Sequence, residues 1–171
     1  MNLYNHSFSE VSITNWSFTE GPTLTQATLS SEESISTAID SGDIVRICSE
    51  AGLLLEQISN TLSVQLGTTI HRKRGDRYTL SDLWSGISKT LRKTELKEII
   101  ESIETHIHLR NLIGAHYNEW ALSLSLTEAK TFAESVLFLF LSVKCEKCSG
   151  WISSNLNQTF LSCKCGNIII N

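Results

Sequence analysis

IVRICSEAGLLLEQISNTLSVQLG, residues 44–67, has the clearest helical pattern in the sequence. Its apolar residues recur at steps of three and four along the chain. They are Ile44, Ile47, Cys48, Ala51, Leu54, Leu55, Ile58, Leu62 and Leu66. This spacing places them on one side of an α-helix, whereas a half-buried strand would alternate with a period of two. The pattern predicts a long amphipathic helix that ends at Gly67, with Cys48 as a small core residue rather than a reactive thiol.

Helices are also predicted on both sides of this segment. Ser30 is followed three residues later by Glu33, which is the capping-box pattern of a helix start, and the break at residues 41–43 ends that helix. Further predicted starts are Thr79 with Asp82, Thr94, and Ser125 with Glu128. Residues 30–143 are therefore predicted to be mainly α, as an antiparallel bundle of four or five helices with short connections.

Residues 1–29 form a different region. They are rich in Ser, Thr and Asn and show no helical periodicity. Residues 11–14 alternate between apolar and polar, with the apolar residues at odd-numbered positions. Trp16 and Phe18 continue the alternation at even-numbered positions. We expect an extended N-terminal arm, which would contain one or two short strands or lie along a partner.

Composition limits the class of protein. The chain has 171 residues, 41% of them hydrophobic, and a formal net charge of -4, so a nucleic-acid surface would have to be a local patch. The longest apolar run, residues 136–143 interrupted by Ser142, is far shorter than the roughly 20 residues of a membrane span. The first residues do not form a secretory signal. We expect a cytoplasmic protein without a membrane segment, in which cysteines bind metal rather than form lasting disulfides.

Four cysteines near the end of the sequence have the spacing of a metal site. Cys145 and Cys148 form one pair, Cys163 and Cys165 form a second, shorter one, and residues 149–162 separate the pairs. Two such turns can supply the four corners of a tetrahedral zinc site, and the residues around them have the composition of strands. We predict a small β zinc ribbon over residues 144–171 with a structural zinc ion. A redox or disulfide-bonded pair is the alternative.

The stretch LRNLIGAHYNEW, residues 109–120, interrupts the helical pattern. It contains an Arg110-Asn111 pair and His116, and the Gly114-Ala115 step would let another backbone approach closely. On a continuous α-helix the side chains of Arg110 and His116 would point about 120° apart, so their convergence requires a helix break or the reach of the Arg side chain. The alternative is that both residues make only surface hydrogen bonds.

Arg110-Asn111 followed by His116 resembles the R-x4–6-H motif of the HEPN superfamily. Many of these helical-bundle proteins are metal-independent endoribonucleases of toxin–antitoxin and antiphage systems. Residues 30–150 are similar to HEPN-like regions found C-terminal to SMC-like ATPases. The resemblance implies a defence or toxin effector that cleaves RNA through its 2′-hydroxyl. It also implies a homodimer through the Arg110–His116 face and an ATPase or antitoxin partner.

The resemblance also implies a role for each residue of the motif. His116 would act as general acid or base, Arg110 would hold the scissile phosphate, and Asn111 would orient His116 or the phosphate. A dense basic run would follow the RNA backbone through Arg72, Lys73, Arg74 and Arg77, or would form a solvated loop or a contact to an acidic partner. The rival function is a non-catalytic helical adaptor that docks through its zinc ribbon.

Overall fold

The computed structural model describes residues 11–17, 21–26, 30–70, 75, 78–113, 125–154 and 159–171, with 11–17, 21–26 and 111–113 described as backbone alone. In these ranges the chain is mainly helical, as predicted. The helices are α1 (Ser31–Ser41), α2 (Ile44–Gln65), α3 (Leu80–Leu91), α4 (Lys97–His106) and α5 (Leu126–Val143). A 3₁₀ segment, η1 (Ile107–Ile113), continues directly from α4.

The centre of the fold is α2. It packs against α1, α3, α5 and η1, and α4 packs against α5. The apolar stripe of the sequence is the buried face of this helix, from Ile47 to Leu66, with Ile44 partly buried at its start. Gly67 follows the helix with a left-handed φ of 60°, a conformation that glycine adopts without steric cost. The predicted helix and its end are therefore confirmed.

Three helix starts have the predicted caps. Ser30 and Glu33 form a capping box at α1, and Ser125 and Glu128 form another at α5. At α3 the Asp82 carboxylate accepts hydrogen bonds from the backbone N–H and the hydroxyl of Thr79. These bonds satisfy donors that have no partner inside the helix, so each start is specified locally by its own sequence.

The predicted start of α4 at Thr94 is wrong. The helix begins at Lys97, and Leu96 occupies the N-cap position. The Thr94 hydroxyl donates to the carbonyl of Leu91 at 2.7 Å and accepts from the N–H of Leu96 at 3.2 Å. Thr94 therefore shapes the turn between α3 and α4, because its hydroxyl already bonds within that turn, three residues before the helix begins.

The N-terminal region contains a β-hairpin. Strand β1 (Val11–Ser17) pairs antiparallel with β2 (Gly21–Gln26). The register shifts between Ile13 and Asn15, because Ile13 pairs with Leu24 while Asn15 pairs with Thr23. Of the two alternatives for the arm, short strands are therefore present over these residues.

A small antiparallel sheet lies at the other end of the chain. Its strands are β3 (Ser153–Ser154), β4 (Leu161–Ser162) and β5 (Ile169–Ile170), in the order β3-β4-β5. The buried residues Leu161 and Ile170 of this sheet, and Ile152 just before β3, belong to the same core as the bundle.

Two further contacts join this sheet to the helices. The ring of Trp151 meets that of Phe140 on α5 edge to face, with centroids 5.6 Å apart. The Ser154 hydroxyl donates to the carbonyl of Leu66 at the end of α2, at 3.2 Å. The described helices, the 22-residue α2 included, do not combine the length and apolarity of a bilayer-spanning segment.

Candidate metal centre and the Arg110 pocket

The sulfurs of Cys145, Cys148, Cys163 and Cys165 all lie within 4.8 Å of one another. The Sγ of Cys165 is 3.6 Å from that of Cys145 and 3.5 Å from that of Cys163. Tetrahedral zinc with bonds of about 2.3 Å holds neighbouring sulfurs roughly 3.8 Å apart. The two predicted pairs therefore meet in one cluster whose size fits a metal ion with four thiolate ligands.

Local backbone turns bring each pair of cysteines together. Cys145 follows α5, and its N–H donates to the carbonyl of Gly150 at 2.8 Å, which closes the first turn. Ser149 has a positive φ of 54° in this turn. In the second turn the N–H of Gly166 donates to the carbonyl of Cys163 at 3.0 Å, and Gly166 has a φ of 71°. The shorter spacing of the second pair is thus accommodated by a tight turn that ends in glycine.

Hydrogen bonds favour thiolates in this cluster. The N–H of Ile168 donates to the Sγ of Cys163 at 3.3 Å and lowers the pKa of Cys163 to about 6. The pKa of Cys148 is lowered chiefly by the N–H of Gly150. The N–H of Asn167 also favours a thiolate at Cys165, but desolvation and the other three sulfurs raise its pKa to about 11. A cation that binds here must displace protons, as metals do at thiolate sites.

Arg110 lies on η1, against the exposed side of α2. Its guanidinium is ion-paired with the carboxylate of Glu56, and the Arg110 side chain retains 24% of its exposure. Gly52, one helical turn before Glu56, lies opposite the Cβ of Arg110, and a Cβ on this glycine would be 3.2 Å away. The absence of a side chain at Gly52 therefore lets η1 approach α2 and brings Arg110 to Glu56.

A pocket of about 380 Å³ opens beside this ion pair. It is lined by Glu56, Asn60, Tyr78, Thr79, Leu80, Leu83 and Arg110. One wall is α2, the opposite wall is the start of α3, and η1 contributes the arginine. Its volume lies at the lower end of the range of roughly 300–1,000 Å³ that is typical of small-molecule sites.

The predicted catalytic and RNA-binding residues are only partly described. Arg110 lines the pocket, and the backbone of Asn111 continues η1. His116 and the basic residues Arg72, Lys73, Arg74 and Arg77 lie outside the described residues. Their proposed roles, and the convergence of His116 with Arg110, stay predictions.

Helix α4 gives way to the 3₁₀ turns of η1 at Ile107, three residues before Arg110, so Arg110 does not lie on a continuous α-helix. In a 3₁₀ helix residues three apart lie above one another, so the chain turns a full circle between Arg110 and Ile113. An α-helix would turn about 300° over the same three residues. The tighter winding changes the direction in which the chain leaves Arg110.

Sequence reasoning missed Glu56 and Asn60. Both lie on the exposed side of the amphipathic helix α2, one turn apart, and Gly52 lies one turn earlier. The available signal was a small residue followed, at four-residue steps, by two polar ones. This pattern does not show which element of the chain would pack against that part of α2.

Comparisons with known proteins add no relative. No family model, curated protein or solved structure matches this chain. The resemblance to the HEPN superfamily therefore rests on the residues of the Arg110–His116 motif and their context.

Proposed function

We propose that this chain is a metal-independent endoribonuclease of the HEPN type and acts as the effector of a defence or toxin system. The observation that carries the proposal is the position of Arg110. It lies in a 3₁₀ break after α4, at a pocket with further polar side chains, and keeps part of its surface exposed. An arginine at such a place can bind a phosphate with its planar set of N–H donors.

The proposed reaction needs only groups of the protein and of the RNA. His116 takes the proton of the 2′-hydroxyl, and the 2′-oxygen forms a bond to the adjacent phosphorus. Arg110 stabilises the charge on the phosphate oxygens, and Asn111 orients His116 or the phosphate. The bond from phosphorus to the 5′-oxygen then breaks, and this oxygen takes up the proton that His116 removed. The products are a 2′,3′-cyclic phosphate and a 5′-hydroxyl.

The metal in this proposal is zinc with a structural role. Four thiolates fill a tetrahedral shell and leave no position for a reacting water. The sulfur cluster lies at the end of α5, and its sheet shares the core of the bundle. Zinc would therefore hold residues 144–171 as a zinc ribbon against α2 and α5, away from the proposed chemistry.

The proposed assembly is a homodimer in which the Arg110–His116 faces of two copies meet. An ATPase or an antitoxin protein would restrain the activity. Both proposals follow from the resemblance, in which the active site is composite and the bundle accompanies an ATPase.

A non-catalytic adaptor is the second candidate, and the ion pair with Glu56 favours it. A guanidinium that is held by a carboxylate on the neighbouring helix can serve to fix η1 on α2. In that case Arg110 has a structural role, and the zinc ribbon would be the docking surface.

Incubation of RNA with variants separates the two candidates. Zinc-loaded wild type and the variants Arg110→Ala and His116→Ala are compared without Mg²⁺. Arg92→Ala is the matched control, because Arg92 is also ion-paired, with Glu104, but lies away from the pocket. Cleavage by wild type and Arg92→Ala alone supports the nuclease. The adaptor is supported if the RNA pattern after incubation is the same for all four proteins.

A further inference from the structure

Two polar side chains of α2 line the pocket together with Arg110. Glu56 and Asn60 line the same wall and lie four residues apart on α2, so their side chains are neighbours, with Cβ atoms about 6 Å apart. Both residues are exposed. The pair therefore presents a carboxylate and an amide side by side to anything that enters from solvent.

The charges of the pocket argue against a site for a free anion. Its only charged lining residues among those described, Glu56 and Arg110, have opposite sign and are paired with each other. Leu80 and Leu83 contribute apolar surface and are 4% and 7% exposed. Such a cavity suits a neutral, planar group. A phosphate attached to that group would have to lie next to Arg110.

Tyr78 is half-buried and provides an aromatic ring on which a base can stack, while Leu80 and Leu83 expose too little surface to hold one. Sequence-specific proteins usually bind single-stranded RNA by stacking an unpaired base on an aromatic ring and forming hydrogen bonds to its Watson–Crick edge. The volume of the pocket, about 380 Å³, is sufficient for a single base.

The hydrogen-bonding groups select among the four bases. The Glu56 carboxylate only accepts, and its two oxygens have about four acceptor positions, so it can bond to a base while one oxygen contacts Arg110. Guanine presents two adjacent donors, N1–H and the exocyclic amine, followed by an O6 acceptor that the Asn60 amide can reach. Adenine and cytosine present one amine beside a ring-nitrogen acceptor, and the N3–H of uracil lies between two carbonyls.

We propose that this pocket binds a guanine base of single-stranded RNA, with Glu56 on its N1–H and amine, Asn60 on its O6 and Arg110 on the adjoining phosphate. This inference rests on the proposed nuclease function for its choice of RNA as the ligand. It adds a specificity site: the RNA is cut next to guanine.

The test uses nucleotides that cannot be cleaved, so that binding is measured without catalysis. The full chain is titrated by calorimetry with the 3′-monophosphates of guanosine, adenosine, cytidine and uridine. We expect guanosine monophosphate to bind at least about fivefold more tightly than the other three, as one well-formed pair of hydrogen bonds provides. Arg110→Ala weakens the binding of all four nucleotides.

The variants Glu56→Gln and Asn60→Asp should remove the preference for guanine, because each exchanges acceptors and donors at the base edge. Glu50→Gln is the matched control, since it makes the same charge change on α2 outside the pocket lining and should keep the preference. Thermal unfolding of each variant confirms that it is folded.

Equal binding of the four nucleotides, a preference that survives Glu56→Gln, or no binding at all overturns the guanine site. If no nucleotide binds, the pocket would instead be a contact site for a protein partner. If RNA is cleaved but neither the cut sites nor the binding favour guanine, this inference fails and the nuclease stands. If the predicted binding pattern is found without cleavage, the guanine site stands and the nuclease fails.

Discussion

Gly52 of α2 lies directly beneath Arg110 of η1, and a Cβ on Gly52 would be 3.2 Å from the Cβ of Arg110. That distance is tighter than an ordinary van der Waals contact, so one of the two elements must move to admit a methyl group. Because Glu56 is on the same helix one turn later, the close approach at Gly52 also determines where the guanidinium meets its carboxylate.

Gly52→Ala should lower RNA cleavage while changing the free energy of unfolding only slightly. Alanine favours the middle of a helix by roughly 0.5–1 kcal/mol over glycine, which offsets part of the new contact. We expect the free energy of unfolding to change by less than about 1 kcal/mol while RNA cleavage falls about tenfold or more, because a small displacement of a catalytic group is costly. Urea unfolding and a cleavage assay measure the two quantities. Unchanged cleavage would mean that the position of Arg110 does not matter.

Gly86→Ala should instead reduce stability. A Cβ there would lie 2.8 Å from the Cβ of Thr68, which is too close to be relieved by rotating a side chain. Overpacking of this kind costs about 1–3 kcal/mol, more than the gain in helix propensity. Thr68→Gly removes the opposing atom, so adding Gly86→Ala in that background should cost little. Urea unfolding of the four proteins tests this, and an equal cost in both backgrounds would contradict the contact.

Zinc content should depend on the cysteine cluster and not on Cys48. The Cys48 thiol is buried in α2, and burial raises its pKa to about 11. We expect about one zinc per chain in wild type and in Cys48→Ala, and loss of zinc in Cys163→Ser. Metal analysis gives the stoichiometry. Because Trp151 packs on Phe140, tryptophan emission should report the loosening of residues 144–171. A metal-free chain with unchanged unfolding would contradict a structural zinc.

The cap of α5 should make stability depend on pH. The hydroxyl and then the N–H of Ser125 hold the pKa of Glu128 below its ordinary value of 4.5. A lowered pKa in the folded state means that the contribution of this carboxylate is present above pH 4.5 and is lost as the pH falls through the lowered value.

Glu128→Gln keeps an acceptor oxygen but removes the charge. The difference in unfolding free energy between wild type and Glu128→Gln should therefore be larger at pH 7 than at pH 3.5. Glu134→Gln, in the middle of the same helix, is the control for the loss of one carboxylate. An equal difference at both pH values would show that the charge at this cap has no effect.

Local features of the fold could be predicted from the sequence. The stripe of α2 and the capping boxes at Ser30 and Ser125 depend on residues within one or two turns, so their spacing is sufficient. The cysteine cluster was predictable because its chemistry requires all four sulfurs at one point. The helix start predicted at Thr94 was wrong because a hydroxyl near a helix start can form its hydrogen bonds within the preceding turn as well as to the helix.

Features that depend on a distant segment could not be predicted. In β1 the large apolar residues change from odd-numbered to even-numbered positions between Ile13 and Trp16. The pairing with β2 shifts in the same place, because Ile13 pairs with Leu24 whereas Trp16 pairs with Pro22. Only the partner strand reveals this. The Glu56–Arg110 pair joins residues from α2 and η1, and neither side chain indicates the other in the sequence. The pocket follows from that pairing and was therefore missed.

The most direct test of the account compares two oligonucleotides of the same sequence, one all RNA and one with 2′-deoxyribose at the cleavage position. Each is incubated with zinc-loaded wild type without Mg²⁺, and the product ends are identified by mass spectrometry. The account predicts that the RNA yields a 2′,3′-cyclic phosphate and a 5′-hydroxyl, while the deoxy-substituted strand stays intact at that position. An uncut RNA, or equal cutting of both strands, would contradict it.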